Sequence, residues 1–181
     1  MKITFLTLAV TLVMQPFAVH ATESPDEMLN AFAPLISKVR GAIRYQLEQG
    51  KGCLPWASLA IDPNDQKTIV DFTFTSEQVK QLGDTSAKTI GALLSAVANK
   101  RPFTVSAIGT CETDSTIGDG TTPNVITLVL ERRNGSAIKM HFPFEQSGNG
   151  QVSYIKSKVS IGQTTHLIFT PPISEELKKN P

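Results

Sequence analysis

The sequence predicts an α+β domain: a curved antiparallel β-sheet of about seven strands, closing in a C-terminal meander, packed against two helical regions. Apolar residues recur at three- and four-residue steps over residues 28–47 and again over 79–97, but at two-residue steps over 53–75 and through most of the chain beyond 103. The two patterns fall in blocks and do not alternate strictly, which disfavours a parallel βαβ sheet. Asn134-Gly135 and Ser147-Gly148-Asn149-Gly150 punctuate the second half and turn consecutive strands back on one another.

The chain opens on Met1-Lys2, an apolar run from Ile3 to Met14, and a small-residue exit at Val19-His20-Ala21. The run is too short to span a hydrocarbon layer of about 30 Å as a helix, and Pro16 with Ala21-Thr22-Glu23-Ser24 ends it where a cleavage site belongs. Residues 1–21 therefore read as a cleaved secretory signal, cut after Ala21, and residues 22–181 as one domain with 171–181 a short tail. No Cys follows the apolar run closely, so lipid attachment there is excluded and no stable membrane insertion is expected. The expected location is the periplasm or the outside of the cell.

Pro25-Asp26-Glu27 behind Ser24 is a helix start, with Ser24 as cap, Pro25 at the first helical position and Glu27 as the reciprocal partner. Met28, Phe32, Leu35, Ile36, Val39, Ile43 and Leu47 then form one buried stripe. Pro34 is expected to kink this helix or split off its first turns, and Gly50-Lys51-Gly52 ends it. Residues 54–61, a turn at Asp62-Pro63-Asn64-Asp65 and residues 68–75 read as a β-hairpin with Val70, Phe72 and Phe74 on one face. Thr75 or Ser76 caps a second helical region with Val79, Leu82, Ile90, Leu93, Leu94 and Val97 spaced for burial, broken at Gly83-Asp84 and stopped by Arg101-Pro102. Five strands follow, over residues 103–111, 125–133, 136–144, 152–161 and 165–170. A two-residue turn at Asn134-Gly135 would put Val125, Thr127 and Val129 on a face with Met140, Phe142 and Phe144.

Charge excludes some functions. Of 17 basic side chains Lys2 lies in the signal, which leaves 16 against 16 acidic ones. A near-neutral chain lacks the positive excess that nucleic acid demands. Cys53 and Cys111, the only cysteines, read as a disulfide in an exported protein; their spacing excludes CxxC redox chemistry, and zinc would need more ligands than His141 and His166 supply. Trp56 is expected to pack beside that bridge; an exposed binding anchor is the alternative.

No GxSxG, HExxH, SxxK or phosphate-binding Gly-rich motif is present, so neither a catalytic set nor a cofactor is indicated. His141 and His166 both fall inside expected strands. A reversal centred on Gly148-Asn149 would bring His141 opposite Lys156 and Lys139 opposite Lys158, with Tyr154 beside them on the other face. Lys139, His141, Tyr154, Lys156 and Lys158 thus form the candidate binding surface, basic and partly aromatic, set against the plain reading of a solvated sheet face. Glu112, Asp114 and Asp119 share a loop rich in oxygen donors, but the spacing does not match an EF-hand, and an ordinary tethered loop is the preferred reading. These observations lead to the expectation of an exported, non-enzymatic binding or interaction protein, such as an inhibitor, immunity factor or envelope assembly accessory. Its partner would be another protein or a small envelope ligand. The alternatives are a carrier with an apolar pocket between sheet and helix, and a hydrolase using His141 or His166.

Overall fold

A computed structural model describes residues 25–116, 123–133 and 135–169. The signal segment, the Ser24 cap, Asp119, Asn134 and the 171–181 tail lie outside the described residues. The element order is α1 (Pro25–Glu48), β1 (Trp56–Ala60), β2 (Ile69–Thr73), α2 (Ser76–Leu82), α3 (Ala87–Ala98), β3 (Val105–Glu112), β4 (Val125–Arg132), β5 (Ala137–Gln146), β6 (Val152–Tyr154) and β7 (Ser160–Gln163). The strands form one antiparallel sheet in the order β2-β1-β3-β4-β5-β6, and β7 also pairs with β5. The fold is α+β with helices on both faces of the sheet.

Helix α1 covers one face. Met28, Phe32, Leu35, Val39, Ile43 and Leu47 are all buried against Ile126, Leu128, Leu130, Ile138, Met140 and Phe142. The helix runs through Pro34 without losing its first turns. A proline there removes one backbone donor, but the buried stripe continues on both sides of it and holds both parts to the same sheet. The contact is close at Gly109 of β3, where an added Cβ would meet Val39 Cγ1 and Ile43 Cδ1 at 2.5 Å each. Gly109→Ala is therefore expected to push α1 off the sheet and cost about 1–3 kcal/mol, read as a lower denaturation midpoint; an unchanged midpoint would show that α1 shifts freely.

Helices α2 and α3 and the chain's last described residues cover part of the other face. The expected break separates the helices: Gly83 ends α2 in the left-handed conformation at φ 67°, and Ser86 caps α3. The buried side of α3 is Ala87, Ile90, Gly91, Leu94 and Ala98, whereas Leu93 and Val97 point outward at 48% and 38% exposure. Ile90 and Leu94 are buried as their spacing predicts, but Leu93 and Val97 are not: Ala87, Gly91 and Ala98 complete the buried side, and α3 meets the segment 167–169 there. A Cβ on Gly91 would meet the Leu167 Cβ at 2.6 Å.

Residues 165–169 are not a strand but a strap across this face. Glu131, fully buried, holds it: Oε1 accepts from the Leu167 and Ile168 amides at 2.8 and 3.2 Å, and Oε2 from Ile168 and Phe169 at 3.0 and 3.1 Å.

Two registers differ from expectation. The β4–β5 loop has three residues, not two: the Arg132 amide donates to the Ser136 carbonyl, and pairing runs Ile126 with Phe142, Thr127 with His141 and Leu128 with Met140. Ile126, Leu128 and Leu130, and not Val125, Thr127 and Val129, share the core face with Met140, Phe142 and Phe144. The cause is Arg133, which leaves the ladder. Its amide donates to the Thr104 carbonyl at 2.7 Å, its Nε to Phe103 at 2.7 Å and its Nη2 to Ala98, at the C-terminal end of α3, at 2.6 Å. In the second case the expected strand over 152–161 is broken by a 3₁₀ turn at Lys156–Lys158. Pro143 explains the break: its carbonyl accepts from the Ile155 amide at 2.9 Å, but it has no N–H to return, and the chain leaves the ladder there and rejoins it at Ser160.

Candidate functional site

The shifted registers decide which sequence-flagged residues meet. Facing pairs put Thr110, Thr127, His141 and Ser160 in one polar row across β3, β4, β5 and β7, on the face opposite α1. Residues 113–116, leaving β3, and the turn at Lys156–Lys158 rise around this row and enclose a polar cleft of about 490 Å³ with Val125 and Pro143 among its lining side chains. His141 and Lys158 line it. Lys139 pairs by register with Gly162 and binds the rim residue Glu112, Nζ to Oε1 at 3.2 Å. Lys156 sits exposed in the turn and does not line the cleft. Tyr154 is on the α1 face, edge-on to Phe142 at 6.4 Å between ring centroids, with the Arg40 guanidinium 5.1 Å from its own. The five residues therefore do not form one basic patch: two line the cleft, Lys139 neutralises an acid on its rim, and two lie elsewhere.

The rim is held in shape by its own bonds. Cys111, one residue before Glu112, is bridged to Cys53. Asn124 clasps the loop from the other side, accepting from the Asp114 amide at 2.7 Å and donating to the Asp114 carbonyl at 2.8 Å. The Asp114 carboxylate accepts from the Thr116 hydroxyl and amide at 2.6 and 2.8 Å, and those bonds, the hydroxyl first, hold its pKa below the ordinary carboxylate value. No group of three or more metal-ligating side chains is gathered among the described residues.

His141 is a neutral group in the cleft. Its Nδ1 lies 3.2 Å from the Thr127 hydroxyl and 3.8 Å from Glu112 Oε2. Thr127 is fully buried, and among the described residues Nδ1 is the one partner of its hydroxyl, so donation by the hydroxyl satisfies both groups and assigns the ring proton to Nε2. Burial first, and Lys139 second, push the His141 pKa below its usual 6.5. The unfolded chain then takes up this proton before the folded one does. The stabilising contribution is complete above the unfolded value and is lost as pH falls through it toward the folded value. An NMR titration should give a His141 midpoint below 6.5 with Nε2 protonated above it; a midpoint above that value would contradict the burial of the ring, and protonation at Nδ1 would contradict the Thr127 pairing.

Neither histidine is hydrogen-bonded to a serine among the described residues. His166 has Nε2 at 3.1 Å from the Gly135 carbonyl and Nδ1 at 3.4 Å from the buried Glu131, in the strap and away from the cleft. No family model, curated protein or solved structure matches this chain. Its function must be argued from the chemistry of its own surfaces.

A second concavity, an apolar groove of about 700 Å³, opens between α1 and the β1–β2 edge, lined in part by Tyr45, Leu54, Trp56 and Phe74. Trp56 packs on the same core cluster as Cys53 and Cys111, and its indole N–H is buried without a partner among the described residues. The sequence pointed to His141 and Lys158 but missed Thr127, Asn124 and Ser160. Only the cross-strand register reveals them, since isolated hydroxyls and amides carry no motif.

Proposed function

We propose that this chain is an exported binding protein, acting in the periplasm or beyond it, that recognises an envelope partner through the polar cleft and not by catalysis. The observation that carries the reading is the uneven cover on one sheet face. The α3 end is sealed by Ile90, Leu94 and the Glu131-held strap, whereas the β7 end remains a cleft whose polar row is buried at Thr110 and Thr127 and open at Ser160. Export gives the setting, and the Cys53–Cys111 bridge suits an oxidising compartment. No described helix is long and apolar enough to cross a membrane.

Immobilised residues 22–181, incubated with cell-envelope extract containing both proteins and solubilised wall fragments, should retain a specific component. Ser160→Trp, which fills the cleft from an exposed position, should lose it; equal retention by the variant would remove the cleft from the account. The apolar groove supports a second reading, a carrier of amphipathic ligands. Trp56 emission shifted or quenched by such a ligand, with Ser160→Trp binding it equally, would favour that reading.

A further inference from the structure

Resting on the reading of the cleft as a recognition site, we infer that its ligand is a neutral, polyhydroxylated molecule, a saccharide of the cell envelope, and not an ion. Charge in the cleft is balanced. Two carboxylates, Glu112 and Asp114, stand against two ammonium groups, Lys139 and Lys158, and the first three are already engaged. Lys139 is ion-paired with Glu112 at 3.2 Å, and Asp114 turns Oδ1 onto Thr116 of its own loop. A simple anion would meet these carboxylates, a simple cation would compete with Lys158 and Lys139, and His141 is held neutral by its surroundings. An ionic ligand thus finds no unbalanced field of its own sign preference.

The groups left over are neutral. Thr113, Ser115 and Ser160 line the cleft with hydroxyls that have no hydrogen-bond partner among the described residues, and the tautomer fixed by Thr127 leaves Nε2–H of His141 as a donor without one. These are neutral groups able to donate and, for the hydroxyls, also to accept, the hydrogen-bonding character of a sugar hydroxyl. The acids on the rim still offer acceptor lone pairs, because each carboxylate oxygen takes more than one hydrogen bond. Val125 and Pro143, both buried, form an apolar floor between these polar groups.

The test is an amide-shift titration of ¹⁵N-labelled residues 22–181 with two neutral probes, the trisaccharide of N-acetylglucosamine and maltotriose, and three ionic ones, acetate, phosphate and glycine. A saccharide is expected to shift the amides of residues 113–116, His141 and Ser160. Its affinity should change by less than about twofold between roughly 50 and 500 mM NaCl, since a neutral ligand is not screened. Ser160→Val and His141→Phe, both at non-core positions, should each weaken it by about tenfold, the loss of one good hydrogen bond. If the ionic probes shift those amides with a steep salt dependence and the saccharides do not, the ligand class is overturned while the cleft remains a binding site. If no probe shifts them but Ser160→Trp still loses a protein captured from envelope extract, the saccharide is overturned and the binding-protein reading stands. Failure of both measurements removes both.

Discussion

Reducing the Cys53–Cys111 bridge should lower the stability of the fold by about 4 kcal/mol, the chain-entropy value for closing a loop of this length. The bridge spans 58 residues and ties the exit of α1 to the end of β3, so the unfolded chain gains the conformations of the whole α1-to-β3 connection when it is cut. A Cys53→Ala/Cys111→Ala variant, which avoids a reductant, should show the same loss in chemical denaturation. The loss has a functional side, because Glu112 and the cleft rim begin one residue after Cys111. Reduction should therefore weaken capture of the envelope component at denaturant-free conditions in which the remainder of the sheet is still folded. Equal stability with and without the bridge would mean that the unfolded chain retains this connection.

Glu131→Ala is expected to be as damaging, at about 3–5 kcal/mol, because it strips the acceptor from three successive amides at once, two of them fully buried. These amides belong to Leu167, Ile168 and Phe169, and Ile168 and Phe169 are part of the α3-side core with Ile90, Leu94 and Phe103. Freed from Glu131, the strap has no ladder partner to replace it. Two readouts separate this effect from general destabilisation. Limited proteolysis should cut near residues 164–169 before the sheet unfolds, and the cleft at the other end of the same face should keep its ligand. Glu131→Gln retains one acceptor and turns an amide N–H₂ toward backbone donors, so it should fall between wild type and alanine. Resistance of the strap to protease in Glu131→Ala would show that apolar packing alone secures it.

The parts of this fold governed by local periodicity were legible in the sequence. The α1 stripe from Met28 to Leu47, the β1–β2 hairpin, the helix break at Gly83 and the paired cysteines all follow from spacing or composition within a short window. What was not legible is what distant residues impose. Arg133 is withdrawn from its hairpin by carbonyls of residues 98, 103 and 104, which turns a two-residue loop into a three-residue one and flips every β4 side chain relative to β5. Pro143 breaks the outer strand and lifts Lys156 and Lys158 out of it. The candidate site inherits both shifts: a predicted basic surface becomes a charge-balanced cleft, with Ser160 opposite His141 in place of Lys156. Residues 165–169 show the same limit, since alternation suggested a strand and a buried carboxylate more than thirty residues earlier made a strap.

Hydrogen–deuterium exchange of residues 22–181, alone and saturated with the component captured from envelope extract, separates the cleft from the groove as the binding site. The account predicts slowed exchange confined to residues 112–116 and the amides at Lys158 and Ser160, with the apolar groove at residues 41–46, 54–56 and 73–76 unchanged. Protection of the groove with the cleft unaltered would contradict it.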